Sequence, residues 1–130
     1  MIGRGRWGQG GFTFIEMLLV LAFMSLLAGL VTTVAGQKIR QSKESALRED
    51  LHILRKAIDD YRADNGRYPE QLKDLTDKRY LRAVPQDPFT ESVETWRTLV
   101  SQEEGQVHGI EDVHSGSDDK SINGENYSDW

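Results

Sequence analysis

The sequence has no cysteine in 130 residues. That excludes a disulfide, a thiol nucleophile and a thiolate metal site. Proline is nearly as scarce, with only Pro69, Pro85 and Pro88, and none interrupts the longest apolar run. Positive charge is in short supply as well. The formal net charge is −5, with no basic patch or stripe of the kind a nucleic-acid binder presents, so nucleic acid is not an expected partner. Residues 101–130 are the extreme case: eight acids against the single cation Lys120, a net of −7. No serine, histidine or aspartate sits in a recognisable nucleophile elbow or helix-start setting, and the chain reads as a non-enzyme. A domain this small without disulfides needs another staple, such as a metal ion or assembly.

What the chain does have is an apolar run. The 24 residues Phe12–Ala35 carry one charge, Glu16. As a helix at ~1.5 Å per residue they reach about 36 Å, enough for the ~30 Å apolar core of a bilayer. A helix satisfies its own backbone there, which a lone strand cannot do. Glu16 is the costly exception, by roughly 2.5–3.5 kcal/mol near a bilayer centre and less towards its edge. It either reaches back to the headgroups or meets a specific cation. The stretch ahead of the run, M-I-G-R-G-R-W-G-Q-G-G, is short and basic through Arg4 and Arg6, with five glycines. A secretory signal places its small-residue cleavage site after the apolar run; here the small residues come before it. A cut after Gly11 would free an α-amine on Phe12, one helical turn from the Glu16 carboxylate.

Gly11 to Leu18, G-F-T-F-I-E-M-L, resembles the class III leader of type IV pilins and type II secretion pseudopilins. The resemblance implies that a prepilin peptidase cuts between Gly11 and Phe12 and that Phe12 becomes N-methylated. It implies that Glu16 serves assembly and that mature subunits form a homo-oligomeric filament. It also places the N-terminus in the cytoplasm, which charge alone does not, since Lys38, Arg40 and Lys43 follow the run as Arg4 and Arg6 precede it. Loss of Arg4 and Arg6 with the leader takes the net charge from −5 to −7.

Beyond Gly36 the helix is expected to continue to Asp64. Leu47, Leu51, Leu54, Ile58 and Tyr61 step 4, 3, 4, 3 along one face, widened by Ala46, Ile53 and Ala57. The opposite face offers the i,i+4 pairs Glu44–Arg48, Arg55–Asp59 and Lys56–Asp60, each worth about 0.2–0.5 kcal/mol. Asn65-Gly66 is a stop signal. A short helix from Glu70 to Lys78 follows Pro69, then a proline-fixed loop at V-P-Q-D-P-F, Val84–Phe89. Val93–Val100 and Val107–Val113 have short strand patterns, with Gly105 and Gly109 as breaks. From His114 onward the chain is polar and turn-rich, a candidate disordered tail, except that Tyr127 and Trp130 offer large anchors. Trp96 and Tyr68 are expected in the core.

Y-R-A-D-N-G-R-Y-P (Tyr61–Pro69), Y-L-R-A-V-P-Q-D-P-F (Tyr80–Phe89) and D-V-H-S-G-S-D-D (Asp112–Asp119), with Trp130, are similar to the major pseudopilins of type II secretion, the pseudopilin G family. The chain departs from that pattern in three places. Thr32-Thr33 stands where the family has a proline, Phe89-Thr90 follows Q-D-P in place of Trp-Gly, and the glycine-rich acidic loop is only partly kept. The resemblance implies an α+β, pilin-like fold: a leader at 1–11, a membrane and assembly helix at 12–35, and a periplasmic domain at 36–130 whose acidic loop spans 101–130. It implies a subunit of a periplasmic pseudopilus, anchored in the inner membrane by one span and acting with minor pseudopilins and an inner-membrane assembly platform. The alternatives are a type IV pilus subunit and a bitopic membrane protein whose domain binds a ligand.

Asp119, Ser121, Asn123 and Gly124 fit D-x-S-x-N-G, the opening of an EF-hand-like loop, but Trp130 stands where the closing bidentate Glu belongs. Hard oxygen donors without cysteine favour Ca²⁺. The family resemblance implies a structural Ca²⁺ in this loop, carried over to Asp118 or Asp119, and the motif adds Asn123 as a neutral donor, against the plainer reading of a solvated acidic loop. His108 and His114 flank Glu111 and Asp112, yet His52 is the only other histidine, and the pair reads as surface residues rather than zinc ligands.

Overall fold

A computed structural model describes Gly3, residues 10–103 and residues 105–130. Arg4 and Arg6 of the leader and Glu104 of the acidic stretch lie outside the described residues. The chain divides into two compact units, Met1–Lys38 and Ile39–Trp130.

The first unit is dominated by the start of helix α1, which spans Phe14–Asn65. The helix begins two residues later than Phe12 because Thr13 takes the capping position. Its hydroxyl accepts the Glu16 backbone N–H at 3.2 Å, and its carbonyl accepts that of Met17 at 3.1 Å. The helix continues through Thr32 without a break. Two of its few polar side chains bond back to the helix: Ser25 Oγ donates to the Leu21 carbonyl at 2.8 Å and Thr32 Oγ1 to that of Gly29 at 2.9 Å. Such local bonds keep hydroxyls satisfied away from water. The helix is long and apolar enough to cross a membrane, and its apolar window is unburied among the described residues.

In the second unit α1 presents its seam to a core. Leu47, Leu51, Leu54, Ala57, Ile58 and Tyr61 are all buried. Ala46 and Ile53 do not widen it; both are exposed, since they point off the packed stripe. Of the three expected i,i+4 ion pairs only Lys56–Asp60 closes among the described residues, at 2.7 Å. Glu44 and Arg55 have better partners elsewhere. The helix ends at Asn65, with Gly66 at φ 72° donating back to the Arg62 carbonyl at 2.8 Å.

The second helix, α2, is shorter than expected, Leu72–Asp77. Pro69 is fully buried ahead of it, its carbonyl accepting the Ile110 N–H at 2.7 Å, so it cannot open the helix. Asp74 instead bonds the Gln71 N–H at 2.9 Å across the first turn, and Leu75 is buried beneath. An antiparallel pair follows, β1 (Arg97–Glu103) and β2 (Gln106–His114), joined through Gly105. β1 starts four residues later than Val93 because the chain before it is held as a loop. Asp87 N–H bonds Ser92 O at 3.0 Å, and Trp96 Nε1 donates to Pro85 O at 2.8 Å. Gly109 is no break. It lies inside β2 at φ 102°, where the ladder shifts register, and a Cβ there would stand 2.7 Å from the Pro69 carbonyl oxygen.

The polar stretch after β2 is ordered. It closes in a 3₁₀ turn, Tyr127–Asp129, with Tyr127 fully buried. The fold is α+β, a long helix packed on a small antiparallel sheet.

Candidate functional site

Two places carry the residues singled out in the sequence. The first is the junction ahead of α1. Gly10, Gly11, Phe12 and Thr13 are non-helical and exposed, with Phe12 77% accessible. A peptidase needs an accessible bond outside regular structure, and Gly11 and Phe12 are both exposed and non-helical. Glu16 follows in the first turn, exposed, where a carboxylate complements the partial positive charge of the helix start. The cap explains the position of the helix start, and its signature was available in the sequence: Thr13-x-x-Glu16 has the spacing of a capping box.

The second place is the segment from Asp112 to Trp130, which lies along α1. Arg40, Glu44, Arg48 and Arg55 step 4, 4 and 7 residues on the helix and reach it in turn. Arg40 donates through Nη2 to the Lys120 carbonyl and through Nε to the Tyr127 hydroxyl at 3.3 Å. That hydroxyl donates to Glu44 Oε1 at 2.7 Å, and the same carboxylate oxygen accepts the Ile122 N–H at 2.8 Å. Burial, foremost, and the bond to Glu44 push the Tyr127 phenol above its usual pKa, against the opposing pull of Arg40, so it stays a donor. Arg48 lies over the Trp130 ring, 4.2 Å from its centre. Arg55 makes three bonds, to Asp112 Oδ1 at 2.7 Å, the Val113 carbonyl at 3.0 Å and the Trp130 main-chain oxygen at 2.7 Å.

A buried carboxylate joins the same segment to the proline loop. Asp87 is fully buried, and its Oδ2 accepts the Ser115 hydroxyl at 2.7 Å and the Gly116 N–H at 3.0 Å. Oδ1 accepts the Phe89 N–H at 2.9 Å. Gly116 must be glycine, because a Cβ would stand 2.0 Å from the Thr95 carbonyl oxygen. Phe89 stacks on Tyr127 with ring centres 3.9 Å apart, and Trp130 meets Tyr127 edge-on at 5.1 Å. Neither the α1 column nor the Asp87 hub was foreseen. The helix spacing would have revealed a common face, but nothing local names partners 57 to 87 residues away.

The expected calcium ligands are all exposed. Asp118 is exposed and pairs with Arg97 at 2.5 Å. Asp119 and Asn123 are exposed too; the Asp119 carbonyl accepts the Tyr127 N–H at 3.1 Å, and the Asn123 N–H bonds Ser121 Oγ at 3.2 Å. Among the described residues no three of His, Cys, Asp and Glu cluster as a metal site. Calcium takes about six to eight oxygens. As placed here these donors do not fit it. His108 and His114 both lie on β2. His114 is half-buried, its Nδ1 2.6 Å from the Trp130 main-chain oxygen and its Nε2 3.4 Å from Asp112 Oδ2, while His108 stays exposed.

Residues 34–129 match the family described as Type II secretion system (T2SS), protein G. A "Type II secretion system core protein G" of Klebsiella michiganensis is 33% identical over 131 residues, covering 88% of this chain and 87% of that one. The protein of the same description from Pectobacterium carotovorum subsp. carotovorum is 33% identical over 104 residues, 67% of this chain and 66% of that one. The one from Pseudomonas aeruginosa is 29% identical over 97 residues, 62% and 68% of the two chains. No solved structure gives a significant match. A match across residues 34–129, on a long apolar helix packed against a small antiparallel sheet, means that the chain belongs to the type II secretion system protein G family.

Proposed function

We propose that the chain is a precursor whose mature form is the structural subunit of a type II secretion pseudopilus. The observation that carries this is the pairing of the protein G match with a G-F-T-F-I-E junction at the head of an uncovered apolar helix. The relatives' description as secretion core proteins favours this role over a type IV pilus. Cutting between Gly11 and Phe12 by a prepilin peptidase would free the Phe12 amine for N-methylation. The membrane half of α1 then passes from lipid into a filament of identical subunits, where other copies replace lipid around its apolar side chains. Glu16 of one subunit neutralises the Phe12 amine of the next. The second unit faces the periplasm, and minor pseudopilins and an inner-membrane platform guide assembly. The chain's own chemistry ends with being processed; it catalyses nothing.

Mass analysis of the chain from membranes that contain the peptidase tests the first step. The expected N-terminus is a methylated Phe12, and Gly11→Ile should leave the leader attached because the peptidase must admit a small residue beside the cut. A native chain that still begins at Met1 in those membranes would overturn the reading.

A further inference from the structure

We propose that guanidinium groups of this chain, Arg40 foremost, hold the turn at residues 117–127 in place of a divalent cation, so that the acidic segment folds without metal.

The argument is an inventory of oxygens. A calcium site in D-x-S-x-N-G needs carboxylate, hydroxyl and carbonyl oxygens turned to a common centre and free of other donors. Here the protein itself supplies donors to several of the oxygens in this turn. Asp118 Oδ1 accepts from Arg97 at 2.5 Å. The Lys120 carbonyl accepts from Arg40, and the Asp119 carbonyl from the Tyr127 N–H at 3.1 Å. Ser117 Oγ accepts the Asp119 N–H at 3.2 Å. Ser121 Oγ accepts two, from Asn123 at 3.2 Å and Glu125 at 3.1 Å. The Ser121 carbonyl accepts the Gly124 N–H at 3.0 Å, and the Glu125 carbonyl the Ser121 N–H at 2.7 Å. A cation entering this turn would have to break several of these bonds before gaining its own.

Charge is balanced the same way. Asp112 meets Arg55, Asp118 meets Arg97, and Asp119 feels the positive charge of Arg40. Glu125 accepts from Trp130 Nε1 at 3.1 Å, and Asp129 from Asn126 Nδ2 at 3.0 Å. Arg40 suits the post because its planar fork reaches a carbonyl and a phenol oxygen together, which a lysine ammonium on one stem does not.

The test uses the full chain in detergent micelles, unfolded thermally while near-UV circular dichroism follows its tryptophans. The expected result is the same Tm with excess calcium chloride and with chelator, and no saturable heat when calcium chloride is titrated in. Arg40→Ala should lower Tm by about 2–5 °C in both conditions. Arg40→Lys, which keeps the charge and is more certain to fold, should recover only part of the loss. The proposal is overturned if chelator lowers the native Tm, if calcium binds at one site per chain, or if both Arg40 variants melt with the native chain.

Discussion

At the scale of single residues, acids govern this domain more than their number suggests, because a few are placed against the grain. Asp50 on α1 is partly buried and feels the negative charge of Asp87 and of its neighbour Glu49. Burial first, then those like charges, raise its pKa above the ordinary 3.8. A group whose folded pKa is raised binds more protons in the folded state. Stability therefore falls as pH climbs from the ordinary value through the raised one, and the full penalty applies above it. Asp50→Asn removes the penalty. The expected outcome is a higher Tm at neutral pH, by less than the ~4 °C that ~1 kcal/mol gives a domain of this size. The gain should vanish in acid below the ordinary aspartate range. An equal gain at both pH values would mean the effect is not electrostatic. Asp87 marks how far residue identity was legible. The Q-D-P sequence announced a fixed loop, but its carboxylate's buried partners, Ser115 and Gly116, lie 28 and 29 residues on, outside any local pattern.

Elements were legible where periodicity alone decides and illegible where a tertiary contact overrides it. The α1 seam is the first kind. Its 4-3-4-3 spacing puts Leu47 to Tyr61 on one side, and every member is buried. Ile53 belongs to the second kind: apolar and adjacent to the seam, yet 37% exposed, because one residue's turn of the helix carries it past the core's edge. Strand β1 and helix α2 were misplaced for a similar reason. The Asp87–Ser92 loop holds Val93, and the Ile110 amide holds Pro69, in positions that local propensity does not foresee. A matched pair of substitutions separates the two cases. Leu54→Ala should cost roughly 2–5 kcal/mol of unfolding free energy, the range for emptying a buried leucine site. Ile53→Ala, chemically almost the same change, should fall within about 0.5 kcal/mol of the native chain. Denaturant titrations of the two variants in micelles provide the comparison, and equal losses would refute the assignment of the buried face.

At the scale of the whole molecule, the apolar window at the start of α1 is unburied among the described residues. That surface suits lipid or other copies of the chain, and on the proposed function it would pass from the one to the other. On the proposed function, Glu16 would decide whether that transfer is possible. In lipid the carboxylate lies within the first turn of α1 and can stay near the headgroup region. In a filament the helices pack against one another in a dry interior, where an unpaired ammonium on Phe12 would be strongly destabilising. A carboxylate from an adjoining copy would remove that penalty, and no other side chain between Phe12 and Ala35 is charged. Glu16→Ala should therefore be cut and inserted like the native chain, since Gly11 and Phe12 are untouched, yet give essentially no filaments. N-terminal mass analysis of the membrane fraction checks the first half, and electron microscopy of sheared filaments checks the second. Leader retention would place Glu16 in peptidase recognition instead. Filaments at native yield from a fully processed Glu16→Ala chain would show that the amine is neutralised by some other route. Glu16→Gln separates charge from hydrogen bonding: if neutralisation is what matters, the amide, which accepts a bond but carries no charge, should assemble far below the native level.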